Sequence, residues 1–235
     1  MSSGVPLFAR KERESGDHWL SVSDLMAGLM MIFLFIAIIY MREVQDIVVD
    51  ADRTHEEIYN ALNDEFEDDL PRWNAEIDRK TMTFRFKEPD VLFDQGGSDL
   101  KLKFKNILSD FFPRYVRVLA PFENDIDEVR IEGHTSSEWR YETDSQTAYF
   151  RNMELSQDRT RNVLEYCVSS NLIGNGSSWI NQKIAAVGLS STKLVLEGGI
   201  ENKEKSRRVE FRVKTNFEQQ IIEKILKQRD EEIVL

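Results

Sequence analysis

The hydrophobic positions of this chain follow two unlike patterns. From Leu25 to Met41 they run together, as LMAGLMMIFLFIAIIYM, without a charge among them. With Trp19 to Ser23 added upstream, the run reaches roughly 20 residues, the length a helix needs to cross a hydrocarbon core. A transmembrane helix is therefore predicted over residues 19–41, with Trp19 and Tyr40 at the two interfaces. The apolar core exceeds that of a signal peptide, no small-x-small cleavage site follows, and a charged helical pattern continues directly. From Arg42 to residue 80 the chain is acidic, with Asp64, Glu65, Glu67, Asp68 and Asp69 close together. Val44, Ile47, Val48, Ile58, Leu62 and Phe66 recur at three- and four-residue spacings. That spacing predicts a connector helix able to pair with a second copy and broken by Pro71.

From residue 81 the period changes. Met82, Phe84 and Phe86 alternate with Thr83, Arg85 and Lys87, as in a half-buried strand. A turn at Gln95-Gly96-Gly97-Ser98 precedes a helical pattern carrying Leu100, Leu102, Phe104, Ile107, Leu108, Phe111 and Phe112. A second strand is expected over Ile126–Glu132, and an amphipathic helix over Leu155–Asn171 with Leu155, Val163, Leu164, Tyr166 and Cys167 towards the core. Further strands follow at Ile184–Val187 and at Val209, Phe211 and Val213. This order predicts an α+β domain over residues 81–215, a β/α sandwich with helices on one sheet face. A polar tail (residues 1–18) precedes the span. A charged helical tail (residues 216–235), with Ile221, Ile222, Ile225 and Leu226 as a stripe, follows the domain.

Composition narrows the function. The 235 residues carry 31 basic and 42 acidic side chains, a formal net charge of -11, which argues against a nucleic-acid partner. The single cysteine, Cys167, excludes an internal disulfide and any cysteine-based metal cluster, and reads as a buried structural thiol. His18, His55 and His134 are scattered, and no nucleophile elbow, zinc-protease or P-loop motif is present, so no enzyme is expected. Arg10, Lys11 and Arg13 precede the span and only Arg42 lies close after it. The positive-inside bias then places the N-terminus in the cytoplasm and most of the mass outside it.

Three spaced motifs carry a resemblance. Ile131-Glu132-Gly133-His134-Thr135, then Asn152-Met153-Glu154-Leu155-Ser156-Gln157-Asp158-Arg159, then Arg207-Arg208-Val209-Glu210 are similar to the signature of OmpA-like C-terminal domains. The resemblance covers Thr81 to Lys214. It implies binding of the peptide stem of peptidoglycan, with Arg159 gripping a ligand carboxylate through parallel hydrogen bonds. Thr135, Asn152, Leu155 and Arg208 complete the implied peptidoglycan-binding set. The family's aspartate after G-[HY]-T, which takes the ligand's ammonium group, is Ser136 here; Glu138, Asp144 or another acid could replace it. A second reading of Asn152 is as the cap of the helix starting near Leu155, and of Arg208 as the partner of a sheet-surface acid.

The front end, with one span and an aspartate about a turn inside it, resembles B-type stator subunits such as MotB. The pattern W-x-x-S-x-x-D-L-M-x-x-L-M, from Trp19 to Met31, is closer to the B subunits of Zorya antiphage defence systems. The resemblance implies a homodimer inside a MotA/ExbB-like membrane pentamer, with Asp24 as the ion-translocating residue and no cofactor besides the ion. A carboxylate in such a span costs about 2.5–3.5 kcal/mol when central, somewhat less near the interface, which marks it as functional. Asp24, Gly28 and Met31 share a helix face; Ser21, Ser23 and Gly28 are the expected ion-path neighbours. A proton is favoured over sodium, because one carboxylate and two serine hydroxyls make a thin sodium site. The alternatives are a flagellar-type stator and a passive wall anchor that moves no ion.

Overall fold

A computed structural model describes residues 14–87, 92–94, 96–139, 144–169, 172, 179–217, 219 and 222. Arg10, Lys11 and Arg13, Gln95 of the expected turn, and Ile221, Ile225 and Leu226 of the expected tail lie outside them. The chain divides into two units, Met1–Asp50 and Ala51–Leu235. Helix α1 (Glu14–Phe66) contributes to both.

In the first unit, the stretch apolar enough to cross a membrane is Val22–Gln45, 24 residues with a mean hydropathy of 2.4. This stretch overlaps the expected span of 19–41 over residues 22–41. Its large side chains, from Leu25 to Met41, are exposed within the chain, as lipid or a partner helix requires.

The second unit corrects the predicted connector. Ile58, Leu62 and Phe66 are buried in the domain's own core, together with Trp73. Their four-residue spacing makes one helical stripe, and the domain covers it; a second copy has no access to these three residues. Helix α1 ends at Phe66, before Pro71, and Pro71 sits in the first turn of α2 (Leu70–Trp73). Proline suits that position because its missing N–H would have no helical partner there. Strand β1 (Ala75–Asp78) follows, inside the stretch read as connector. Its Ala-Glu-Ile-Asp is too short to show alternation.

Strand β2 (Thr83–Phe86) leads to α3 (Leu102–Leu119), then β3 (Ile126–His134), α4 (Ser145–Ser169) and a short α5 (Ile180–Lys183). Strand β4 (Ile184–Gly188), a two-residue-strand hairpin of β5 (Leu196–Glu197) and β6 (Ile200–Glu201), α6 (Lys203–Ser206) and β7 (Arg208–Thr215) complete the unit. The five-stranded sheet has the order β1-β2-β7-β3-β4. Its pairs are antiparallel except β3 with β4, which are parallel and joined through α4, since a parallel pair needs a long crossover. The predicted strands and the helical layer are thus present. The hairpin was not expected; Gly198 and Gly199 close it with φ of 60° and 83°, backbone that glycine adopts without strain.

Helix α4 begins ten positions before the predicted Leu155. Asp144 caps it, accepting from the amides of Gln146 and Thr147 at 3.0 Å each. The first turns, Ser-Gln-Thr-Ala-Tyr-Phe-Arg, bury only Ala148, so no apolar period announces them. Asn152 therefore lies inside α4 and is no cap.

The core is aromatic and centres on Phe111. Its ring lies 4.5 Å from Phe84, 4.9 Å from Tyr115, 5.0 Å from Phe211 and 5.3 Å from Phe66 and Phe86. Tilted and edge-on contacts at such separations add to simple burial. Two glycines set the seat of α4. A β-carbon on Gly133 would meet Thr160 Cγ2 at 2.7 Å and the Ser156 carbonyl at 2.8 Å; on Gly188 it would meet the Gln157 amide nitrogen at 2.4 Å. Gly188→Ala is expected to lower stability by about 1–3 kcal/mol through this overpacking, and Phe111→Ala by about 3–5 kcal/mol. Thermal and denaturant unfolding followed by circular dichroism checks both.

Candidate functional site

Alternation along β3 separates two faces. Val129, Ile131 and Gly133 point to the helices; Arg130, Glu132 and His134 point to the opposite face. On β7 the same rule sends Val209, Phe211 and Val213 inward, and Arg208, Glu210 and Arg212 outward. The predicted binding residues divide between these two environments.

Thr135 leaves the end of β3, held by its amide to the Ser190 carbonyl at 2.9 Å. Asn152, buried on α4, reaches across to this turn. Its Nδ2 donates to the carbonyls of Ser136 and Glu138, 3.1 Å each. Ser156, one helical turn on, accepts from the amide of Ser190 at 3.1 Å, and Ser190 Oγ donates to the Tyr149 carbonyl at 2.8 Å. Asn152 and Thr135 therefore meet at this turn. Leu155 is half-buried beside them on α4.

Arg159 lies seven residues, about two turns, along α4 from Asn152. It is buried, and its guanidinium carbon sits 4.7 Å from the Phe93 ring centroid. Nε donates to the Gly97 carbonyl at 2.8 Å and Nη2 to the Asp94 carbonyl at 3.3 Å. Asn162 Nδ2 adds a bond to the Ser98 carbonyl at 3.0 Å. The arginine thus fastens the loop after β2, which an isolated bridge between Phe93 and Leu100 closes. Asn152 at the turn that carries Thr135 and Arg159 at the loop after β2 mark the two ends of the candidate site. The sequence did not single out Phe93, Asp94 or Ser137 as its walls.

Arg208 does not join that cleft. Its Nε donates to Glu210 at 2.7 Å, and Nη1 to the carbonyls of Ser206 and Lys193 at 3.0 and 3.2 Å. It belongs to the opposite face, where the second reading, pairing with a sheet acid, holds. Glu210 also accepts from Arg85 at 2.6 Å, and its other oxygen lies 3.3 Å from His134 Nε2. Glu132, the cross-strand neighbour of Glu210, lies 3.6 Å from the same ring and 3.9 and 3.8 Å from Arg130 and Arg212. One ligand-type atom each from Glu132, His134 and Glu210 falls within 4.8 Å of the others. Arg85 and Arg208 pair with Glu210, and Arg130 and Arg212 lie against Glu132, so the group is the ionic interior of a sheet face. The period-two string Arg-x-Glu-x-Arg from 208 to 212 carried that signal.

Burial works against ionisation of Glu210 and Glu132, but the His134 ring beside both, with Arg208 against Glu210 and Arg212 against Glu132, outweighs it; both carboxyls sit below the ordinary glutamate value of 4.5. Cys167 is buried, as expected, and its thiol is pushed up by that burial.

Asp24, Leu25, Gly28, Leu29 and Ile32 lie close together on the exposed surface of the first unit's helix. The side chains of Ser23 and Asp24 are exposed within the chain, and a β-carbon on Gly28 would meet nothing within 4 Å. Asp24 thus lies inside the apolar stretch beside a position where a neighbouring helix can approach closely.

The OmpA family profile matches residues 92–208. The Zorya protein ZorB of Escherichia coli is 49% identical over 219 residues, 90% of this chain and 93% of that protein. Among solved structures, a MotB-like protein of Desulfovibrio vulgaris is 20% identical over 69% of this chain and 91% of that one, with a TM-score of 0.47. The cell wall anchor of the T6SS from Pseudomonas aeruginosa is 19% identical over 66% and 96%, with a TM-score of 0.45.

The ionic face makes a pH prediction. A carboxyl with a lowered folded pKa contributes stability that is present above its unfolded value and lost as pH falls below it. The domain's melting temperature should therefore hold from pH 7 to about 5 and fall steeply below 4.5. Glu210→Gln leaves Arg85 and Arg208 without their shared charge. It should cost about 3–5 kcal/mol at pH 7 and flatten the acid limb, as read by calorimetry across that range.

Proposed function

The chain belongs to the family of the Zorya protein ZorB, and we propose that it is the ion-carrying, wall-anchoring B subunit of an inner-membrane motor complex in Zorya antiphage defence. The observation that carries the proposal is the joining, in one chain, of a carboxylate inside a membrane-length apolar helix to an OmpA-family domain. Neither part alone calls for the other. Together they suit a machine that draws on an ion gradient and must not rotate freely.

Asp24 is the ion carrier in this reading. A partner helix covers it at one stage and water reaches it at another. A partner ring moving past it alternates those states and passes one ion per step. A charge crossing 100 mV supplies about 2.3 kcal/mol. The ion in this reading is a proton, since one carboxylate with the Ser21 and Ser23 hydroxyls makes a thin sodium site. Two copies sit within a MotA/ExbB-like pentamer, because one helix per chain does not enclose an ion path. The N-terminus is cytoplasmic, and the domain is periplasmic, holding the peptidoglycan peptide in the cleft of Thr135, Asn152, Leu155 and Arg159.

Asp24→Asn keeps size and removes the charge. In cells carrying the complete system, this variant should lose phage protection to the level of cells without it, while its membrane abundance and its pelleting with purified sacculi stay unchanged. Full protection by the variant would leave a passive anchor. For the wall, Arg159→Ala in the detergent-solubilised full chain should weaken co-sedimentation with sacculi about tenfold or more, the scale of a lost charge-assisted hydrogen bond.

A further inference from the structure

The acidic stretch that closes α1 meets its counter-charges on another helix. Helix α1 ends at Phe66 with no basic residue in its last turn, where Asp64 and Glu65 oppose the helix dipole. Arg114 of α3 supplies the missing cation. Its Nε donates to Glu65 Oε1 at 2.7 Å, and its Nη2 donates to the Glu65 carbonyl at 2.7 Å, one of the last carbonyls without a helical partner. Nη1 donates to Asp69 at 2.6 Å, and the guanidinium carbon lies 4.8 Å from the Phe66 ring centroid. Arg117 adds a bond to Glu65 at 3.0 Å. Further up α1, Glu56 accepts both prongs of Arg79, from the turn after β1, at 3.0 and 2.6 Å. The Arg79 carbonyl lies 2.5 Å from His55 Nε2, and its guanidinium carbon 5.6 Å from the Tyr59 ring centroid.

The placing of these two grips around the helix decides what they do. At about 100° per residue, Ile58, Leu62 and Phe66 share a stripe about 80° wide. Glu65 lies about 60° to one side of its centre; Tyr59 and Glu56 lie about 60° and 120° to the other. The two arginines therefore hold opposite flanks of the buried stripe. Apolar burial is non-directional, so the stripe alone holds the helix down while letting it roll. A planar guanidinium fixed by two or more bonds is directional. One on each flank opposes rolling in either sense.

We propose that Arg79 and Arg114 are positioning residues that lock α1 against turning about its own axis, so that the domain holds the helix bearing Asp24 at one azimuth. The inference rests on the wall-anchoring reading and adds to it the joint through which the anchorage reaches that helix. An anchor holding only the apolar stripe would let the helix turn in place whenever a neighbour pushed on it.

The test replaces both arginines in the full chain. Arg79→Gln with Arg114→Gln removes both charges; Arg79→Lys with Arg114→Lys keeps them and removes the forks. Nitroxides on Asn60→Cys and Asn106→Cys, exposed positions of α1 and α3, report the azimuth of α1 by pulsed electron spin resonance in detergent; Cys167 is buried. Both arginine pairs of substitutions should broaden the distance distribution beyond that of the unaltered chain. In cells carrying the complete system, both should lose phage protection to the level of cells without it, with unchanged membrane abundance and unchanged pelleting with sacculi. An unchanged distribution, or full protection by either pair, overturns the lock. Loss of pelleting by both pairs also overturns it, since the arginines then only support the fold. The wall reading fails separately: if Arg159→Ala no longer pellets yet protects fully, that reading falls and takes the lock with it.

Discussion

The closeness of α4 to the parallel pair β3–β4 is the constraint on which the candidate site depends. Gly133 and Gly188 sit side by side in that pair, and the space their β-carbons would fill is occupied by Ser156, Gln157 and Thr160 of the helix. A helix resting on ordinary side chains would ride higher. Asn152 would then no longer span to the carbonyls of Ser136 and Glu138, nor Ser156 to Ser190. The cleft is a product of backbone proximity, and its polar groups are aligned by the same contact that packs the core.

How much of this was legible in the sequence varied with the physics. Strands β2, β3, β4 and β7 showed themselves because each is long enough, or apolar enough on one face, for its period to be counted. Strand β1 and the hairpin β5–β6 have too few residues to display any period. The stripe of Ile58, Leu62 and Phe66 was visible, but a helical stripe says only that something covers it. A partner copy and the domain's own Phe84 and Phe111 leave the same trace. The start of α4 was hidden because Asp144 caps a polar first turn, where hydrogen bonds supply what apolar spacing does not. Thr135, Asn152 and Arg159 were found through motifs.

The two faces of the sheet divide the work. One, with Phe84, Phe86, Val129, Ile131, Phe211 and Val213, is apolar and carries the helices. The other interleaves Arg85, Arg130, Arg208 and Arg212 with Glu76, Glu128, Glu132 and Glu210. Each buried acid there touches more than one cation. Pairing of this kind is costly to break, since removing one member strands its neighbours in a poorly solvated place. It also gives the strands a register, because a slip by one residue would carry these charges onto the apolar face.

Arg159 and Asn162 hold the loop after β2 through the carbonyl oxygens of Asp94, Gly97 and Ser98. Every amino acid offers that same oxygen. The grip is therefore blind to what the loop's side chains are, and substitutions along residues 94–98 can accumulate without slackening it, provided the left-handed bend at Gly96 is kept.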